Sequence, residues 1–430
     1  MGSIMPSVAE ITRAVDAAWE TQVAWLSRLV SFPSLRGEEA PCQDWLATQM
    51  RERGWSVDRY TLAEVDMAHL PGHSPVMDTD YSRAVQVVGS VRAPENPARR
   101  NSLILQGHVD VVPAGPLDMW RTPPFEPAIR DGRMYGRGAN DMKSGVAAMF
   151  FALDALKACG VAPATDIYVQ TVTEEESTGN GALSTLARGY RADACLITEP
   201  TGASVLRGTI GVMWFRLQVR GRPAHVGQSE QGTNAILSAY GIIEALRGHV
   251  REMNERARSH PWFSRIRNPV KFNAGKISGG DWASSTPAWC DVDCRIAVMP
   301  GMSLEAFREE LTGVVMAAAR QDPFLAESPP SIVWNGFQAD EYVLEPGSAF
   351  EGAVRGAHQR VHGAEPGEVI LPAVTDCRFY GRYYGIPSLS YGAAGEGSHG
   401  FDEWVDLASV RTLTITLADV IAHWCGTRPI

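Results

Sequence analysis

Apolar residues recur at two spacings along the 430-residue chain, and each spacing predicts a different element. Helical spacing runs through Val15 and Trp19 and continues to Trp55, so we expect helices across residues 8–55. From residue 66 to residue 80 this periodicity stops, and prolines and a glycine interrupt the chain. That stretch therefore predicts a long surface loop.

Short apolar runs then alternate with helical segments. The clearest predicted strands are 103–109, 166–172, 194–197 and 387–391, and the clearest crossover helix is 144–158. This alternation is typical of parallel strands joined by crossover helices, so the chain predicts an α/β fold with a mainly parallel sheet.

The pattern changes between residues 210 and 338. It predicts a strand at 213–219, a helix at 234–247, two strands near 270–298, a helix at 303–320 and a strand at 331–334. Since 430 residues exceed the usual size of one hydrophobic core, we expect an inserted α+β domain at 210–338. Residues 1–209 and 339–430 then form one catalytic domain.

Acidic and histidine side chains stand where the predicted strands end. The first strand ends in His108-Val-Asp110, and strand alternation places the two polar side chains on one face. The triplet Glu174-Glu175-Glu176 follows the second strand, and Glu199 follows the third. Because functional clefts of open α/β sheets lie beyond the carboxyl ends of the strands, we expect these groups to converge.

Two further residues extend this group. Asp141 precedes the helix at 144–158, where it is either an ordinary N-cap or a carboxylate that bridges two metals. His399 lies in the glycine-rich loop 395–403, which follows the strand at 387–391. Imidazoles with carboxylates suit zinc, cobalt or manganese better than calcium. We therefore predict two bound divalent ions, with zinc as the leading candidate and a single bound ion as the alternative.

Composition excludes several classes of protein. The net charge of -10 and the absence of a Lys/Arg cluster argue against nucleic-acid binding. The longest apolar stretches, such as 146–156, are shorter than the roughly 20 residues of a membrane-spanning helix. Seven cysteines, and residues 1–7 without the features of a secretion signal, predict reduced thiols and a cytoplasmic protein.

Two motifs occur in order along the chain: Gly-His-Val-Asp-Val-Val-Pro at 107–113 and Tyr-Gly-Arg-Gly-Ala-Asn-Asp-Met-Lys-Ser-Gly at 135–145. With the acidic residues above, the chain resembles the zinc-dependent amidohydrolase and exopeptidase family of acetylornithine deacetylase, succinyl-diaminopimelate desuccinylase, aminoacylase-1 and carboxypeptidase G. The resemblance implies that Asp141 bridges two zinc ions, one bound by His108 and Glu199 and the other by Glu176 and His399. It also implies that Asp110 orients His108 and that Glu175 is the general base.

The same resemblance makes the inserted domain a lid through which two chains form a homodimer. It implies that His225 reaches the partner's active site and stabilises an oxyanion there. Asn273 and Arg295 match lid positions that bind a substrate carboxylate, although Arg295 could equally pair with Asp293 or Glu309. Arg378 is the last residue of a segment that matches the wall of the substrate pocket, so the resemblance implies that it also contacts the substrate.

The chain departs from the family at four places, of which Lys143-Ser144-Gly145 in place of the commoner Lys-Gly-Gly is a minor one. Glu174 stands where the acidic triplet usually begins with Asp, and Ala-Val-Thr-Asp-Cys-Arg at 373–378 replaces the usual Gly-Gly-Thr-Asp-Ala-Arg. The loop 66–80 is also unusually long. These departures leave the substrate and its leaving group open, while the reaction type is unaffected.

The predicted reaction is hydrolysis of an amide-type C–N bond by a metal-bridging water with Glu175 as general base, most directly removal of an acyl group from an N-acyl amino acid. The alternatives are a dipeptidase or carboxypeptidase, or an aminohydrolase acting on an aromatic amine or a carbamoyl group. For that last alternative, Trp282 and Tyr380 could line an aromatic site, although we expect each of them to pack in the core. A catalytically dead binding protein would lack the base or a ligand, and a serine hydrolase would carry Gly-x-Ser-x-Gly; neither applies.

Overall fold

The computed structural model describes residues 5–93 and 101–430, so part of the segment 1–7, where no secretion signal is expected, lies outside it. The helices are α1 (Val8–Val30), α2 (Ala40–Glu52), α3 (Ser144–Ala158), α4 (Asn180–Ala187), α5 (Ala235–Ala257), α6 (Leu304–Ala319), α7 (Pro323–Glu327), α8 (Ala349–His362) and α9 (Leu407–Trp424). The first ten strands are β1 (Ser56–Thr61), β2 (Val85–Val91), β3 (Leu103–His108), β4 (Ala128–Arg130), β5 (Arg133–Tyr135), β6 (Val161–Pro163), β7 (Ile167–Val172), β8 (Cys195–Ile197), β9 (Val205–Thr209) and β10 (Val212–Arg220). The others are β11 (Phe272–Gly279), β12 (Trp289–Ala297), β13 (Ser331–Ala339), β14 (Tyr342–Val343), β15 (Glu368–Leu371), β16 (Ser388–Ser390), β17 (Gly395–Glu396), β18 (Trp404–Asp406) and β19 (Thr427–Pro429).

A six-stranded sheet with the order β1-β2-β7-β3-β8-β16 forms the centre of the fold. Strands β7, β3, β8 and β16 run parallel, and β2 and then β1 add to them with antiparallel pairing. The four strands predicted from the apolar runs are therefore confirmed, as is the mainly parallel α/β class. The edge pair β1 and β2 was not among the predicted strands.

The parallel strands are buried on both faces, because helices cover the sheet. All six residues of β3 are buried, and the crossover helix α3 has the predicted bounds Ser144–Ala158. Helix α3 packs against α1 and α9 and is buried on nearly every side, which explains its continuous apolar sequence. Gly145 in its first turn lies against Thr198, since an added Cβ would come within 2.2 Å of the Thr198 carbonyl oxygen.

The segment predicted as an inserted unit contains a second sheet, with the order β11-β12-β10-β13 and antiparallel pairing throughout. Helices α5 and α6 pack with this sheet around a separate hydrophobic cluster that extends from Ile210 to Ala339. The predicted order of elements is confirmed here, although α5 ends at Ala257 instead of residue 247. The domain bounds 210–338 stay a prediction.

The loop predicted at 66–80 is confirmed as irregular, but it is not wholly a surface feature, because Met67 and Ser74 are buried. All seven cysteines are free thiols, and Cys290 and Cys294 lie in β12 as expected. No helix within the described ranges 5–93 and 101–430 combines the length and the apolar character needed to cross a membrane.

Candidate metal centre

The central strand order brings the predicted acids and histidines together at one edge of the sheet. Strand β3 lies between β7 and β8, so His108 at its end stands between the residues that follow those two strands. Ligand atoms of His108, Glu175 and Glu199 lie within 4.8 Å of one another. The same is true of His108, Asp141 and Glu176.

Asp141 lies between the two imidazoles. Its Oδ1 is 3.2 Å from His108 Nε2, and its Oδ2 is 3.8 Å from His399 Nε2. His399 Nε2 is also 3.0 Å from Glu176 Oε2. Because helix α3 has no side-chain cap, the alternative role of Asp141 as N-cap finds no support, and its two carboxylate oxygens instead face the two imidazoles.

Burial and mutual repulsion make the carboxylates of this cluster difficult to ionise. Burial raises the pKa of Glu175 well above its ordinary value, and the charge of Glu199 raises it further. Burial also raises the pKa of Glu199 and of Glu176. Asp141 differs: burial raises its pKa, but the hydrogen bond and charge of His108 outweigh this and leave the pKa below its ordinary value.

The donor set fits divalent cations. Two imidazoles and several carboxylates converge, and a cation between them would offset the carboxylate repulsion that raises their pKa values.

His399 is on the open side of the cluster, with 56% of its side chain exposed, whereas His108 is enclosed. The centre is thus accessible to a substrate from the side of His399.

Asp110 supports ligands from two strands. His108 Nδ1 lies 2.9 Å from the Asp110 carbonyl oxygen and 3.5 Å from its Oδ1, so the imidazole can direct Nε2 to the cluster. Asp110 Oδ2 accepts a hydrogen bond of 3.1 Å from the backbone N–H of Glu176. Asp110 therefore contacts His108 through its backbone carbonyl and its carboxylate, and it also holds the segment that carries Glu176; its predicted role in orienting His108 stays a prediction.

Sequence reasoning missed Glu403, which fixes the segment that carries Asp141. Glu403 is fully buried, and its Oε1 accepts 3.0 Å hydrogen bonds from the backbone N–H groups of Asn140 and Asp141. Its Oε2 accepts from Gly138 N–H and from the buried guanidinium of Arg137, at 3.0 and 2.5 Å. The only sequence signal was its place in the same glycine-rich loop as His399.

The predicted lid residues His225, Asn273 and Arg295 do not all lie together. His225 is exposed at the start of a short 3-10 turn, Val226–Gln231, where its Nδ1 accepts a 3.1 Å hydrogen bond from Gly227 N–H. Asn273 and Arg295 are direct neighbours on β11 and β12. The structure therefore brings the last two together, while His225 is not part of the metal cluster in its own chain.

Arg295 has no acidic partner among the residues that the structure describes. Of the alternatives considered, Asp293 instead accepts from Arg216 at 2.6 Å. The Arg295 guanidinium donates to the carbonyl oxygen of Pro372 at 3.0 Å, which places it beside the start of the segment 373–378. Burial lowers its pKa. An anionic group of a substrate would complete its pairing.

Arg378 is enclosed in the protein. It is fully buried, and its guanidinium donates to the carbonyl oxygens of Thr375 and Thr178, each at 2.9 Å. Its contact with substrate stays a prediction.

The two aromatic residues Tyr380 and Trp282 differ in burial. Tyr380 is in the core, and its hydroxyl donates to Gln170 Oε1 at 2.6 Å. Trp282 is 73% exposed, so the expectation that it packs in the core is wrong.

Replacing Glu403 with alanine tests its role as anchor. We expect the free energy of unfolding to fall by about 3–5 kcal/mol, because Arg137 keeps its buried charge without an anionic partner. Bound metal per chain should also fall, since Asp141 loses its backbone anchor. Denaturant unfolding and elemental analysis measure both quantities, with Glu396→Ala in the exposed strand β17 as control. Wild-type stability and metal content in Glu403→Ala would contradict this role.

Known proteins resemble this chain over much of its length. Succinyl-diaminopimelate desuccinylase of Acidovorax ebreus is 31% identical over 67% of this chain and 71% of its own. N-formyl-4-amino-5-aminomethyl-2-methylpyrimidine deformylase of Halalkalibacterium halodurans is 28% identical over 98% of both chains.

Solved structures share the fold. A dipeptidase of Saccharomyces cerevisiae superposes with a TM-score of 0.78 at 17% identity, covering 97% of this chain and 98% of its own. Human carnosine dipeptidase 1 gives 0.74 at 15% identity, covering 98% and 99%. The profile of peptidase family M20/M25/M40 matches residues 104–423. The chain belongs to this family of metal-dependent hydrolases, whose members cleave amide C–N bonds.

Proposed function

We propose that the enzyme uses two divalent ions, with Asp141 between them, His108 and Glu199 on one, and Glu176 and His399 on the other. The observation that carries this proposal is the position of the Asp141 carboxylate, whose two oxygens face the two imidazoles. When bound, such ions polarise a carbonyl group and make water more acidic. Zinc is the first choice, and cobalt or manganese would suit the same ligands.

Glu175 is the proposed general base. Its Oε2 lies 4.0 Å from His108 Nε2, at the inner edge of the cluster, and the side chain is almost fully buried. In this position the carboxylate would accept a proton from the attacking water and then donate it to the departing nitrogen. Burial raises the pKa of Glu175, so this carboxylate holds an accepted proton more firmly than an exposed one would, which suits it to carry the proton to the departing nitrogen.

The proposed substrate is a small N-acyl amino acid. Arg295 supplies a guanidinium that no acidic side chain in the described ranges 5–93 and 101–430 pairs with, and Asn273 beside it adds an amide donor. The pair would therefore bind a substrate carboxylate. Two relatives that match nearly the whole chain are named as deformylases, which favours a short acyl group. Those relatives also support a second candidate, an N-formyl group on an aminomethyl-pyrimidine, which carries no carboxylate.

We also propose that two chains associate through the inserted sheet. Strand β11 is at the edge of that sheet, with most of its residues exposed. Ile277 on β11 and Leu237 and Tyr240 on α5 expose large apolar side chains. A homodimer would cover this surface and would carry the exposed His225 of each chain to its partner.

The seven free thiols of the chain support the further proposal that the protein works in the cytoplasm.

Glu175→Gln tests the chemistry. The amide cannot accept a proton, so we expect kcat to fall by at least about 100-fold while both metal sites still fill. Steady-state kinetics and elemental analysis of the same preparation give the two quantities. Glu38→Gln, an exposed residue, is the control. If Glu175→Gln retains wild-type kcat, the assignment of Glu175 is wrong.

Arg295→Met tests the substrate class. With N-formyl and N-acetyl amino acids, we expect kcat/KM to fall by roughly 10- to 200-fold, equivalent to about 1.5–3 kcal/mol for a lost charged hydrogen bond. The matched amino acid amides, which lack the carboxylate, should be poor substrates that the mutation leaves unchanged. The N-formyl aminomethyl-pyrimidine is assayed alongside. Equal losses on acids and amides would argue against carboxylate binding, and preference for the pyrimidine would favour the second candidate.

The dimer is tested by Ile277→Lys together with Tyr240→Lys. Charges on an edge strand and on the adjacent helix face oppose association, so sedimentation should change from the mass of two chains to that of one. The matched control is Met77→Lys, which adds charge at an exposed apolar residue outside this surface. A wild-type protein that sediments as a single chain at high micromolar concentration would contradict the proposal.

A further inference from the structure

Two departures from the family motif meet in the structure. Glu174, which replaces the usual aspartate, extends a longer side chain toward Arg36, and Arg36 in turn contacts the long loop 66–80. The Arg36 Nε and Nη2 groups donate to the two oxygens of Glu174, at 2.5 and 3.0 Å. The remaining terminal nitrogen, Nη1, donates to Asp78 Oδ1 at 3.0 Å. One guanidinium therefore joins the acidic triplet to the loop.

The carboxylate of Glu174 is held from other sides as well. The hydroxyls of Tyr81 and Thr178 donate to its Oε2 at 3.0 and 2.9 Å. Its backbone has φ +67, a left-handed conformation that non-glycine residues adopt only when their surroundings hold them there. Because this turn directs the next two residues, Glu175 and Glu176, into the metal centre, the contacts of Glu174 determine where the proposed base lies.

The loop 66–80 is itself attached to the inserted sheet. Gly336 N–H on β13 donates to the Pro75 carbonyl oxygen at 2.9 Å, and Met77 N–H donates to Asn335 Oδ1 at 3.0 Å. Gln338 N–H donates to the buried hydroxyl of Ser74 at 3.1 Å. A continuous set of hydrogen bonds thus leads from β13 through the loop and Arg36 to Glu174.

We propose that Arg36 is a positioning residue that makes the alignment of Glu175 depend on the inserted sheet being docked against the loop 66–80. This inference rests on the proposed role of Glu175. Arg295, which is proposed to bind the substrate carboxylate, belongs to the same inserted sheet. Binding of substrate by that sheet and placement of the base would then be mechanically connected through the loop.

Two variants separate the two contacts of Arg36, one with Glu174 and the other with Asp78. Arg36→Met removes both contacts. We expect kcat to fall roughly 10- to 100-fold with KM little changed, as for other residues that orient catalytic groups. Asp78→Asn keeps the Arg36–Glu174 pair and weakens only the contact with the loop. We expect kcat there to fall by up to about fivefold, the range of one partly exposed ion pair.

Hydrogen exchange gives a readout that is independent of activity. In both variants the amides of Met77, Gly336 and Gln338 should exchange faster than in the wild type, while metal content stays the same. Arg59→Met is the matched control, because it breaks an Arg–Asp pair of 2.5 Å on the exposed surface of the catalytic part. It should leave kcat and the exchange of these three amides unchanged.

The outcomes are distinct. If Glu175→Gln is inactive but Arg36→Met keeps kcat within twofold of the wild type, the inference fails and the proposed function stands. If kcat falls without faster exchange at Gly336, the connection to the inserted sheet is overturned. If Arg36→Met does not fold, Asp78→Asn decides, and unchanged kcat and exchange in that variant overturn the inference. Full activity of Glu175→Gln would instead remove the proposed function.

Discussion

The structure depends on one electrostatic constraint: several carboxylates converge at the carboxyl edge of a parallel sheet, where burial opposes their charge. Glu175, Glu176 and Glu199 all have raised pKa values for this reason, and only Asp141, beside His108, has a lowered one. A chain that gathers such groups needs positive charge at their centre. Bound metal ions would supply it, and the family to which the chain belongs is metal-dependent.

Much of the surrounding architecture serves to hold this arrangement. Strand order places His108 between the ends of β7 and β8, and Gly145 allows helix α3 to approach the backbone beside Glu199. Asp110 and Glu403 then fix the segments that carry Glu176 and Asp141 through backbone hydrogen bonds. The five proposed ligands come from five separate parts of the chain, so their arrangement depends on contacts between distant segments.

The strands and the clustering of the acidic and histidine side chains were predictable because both follow from local patterns. Apolar runs locate strand ends, and parallel strands bring their ends to one edge, so His108, Glu199 and the acidic triplet could be placed together before the structure was known. The role of Glu403 could not be predicted in this way, since its partner Arg137 is 266 residues away and only the fold brings the two together. Burial of Arg378 and docking of the loop 66–80 likewise depend on contacts between distant segments. The late end of α5 escaped prediction because its last turns are rich in charged residues.

The most direct test of the account is the metal–metal distance. Metal-free protein is saturated with Co²⁺, the bound ions are counted, and their separation is measured by X-ray absorption. We predict two ions per chain about 3.5–4 Å apart, with the short separation lost in Asp141→Asn, because one carboxylate bridges them. A single ion per chain at saturation, or an unchanged separation in Asp141→Asn, would contradict the account.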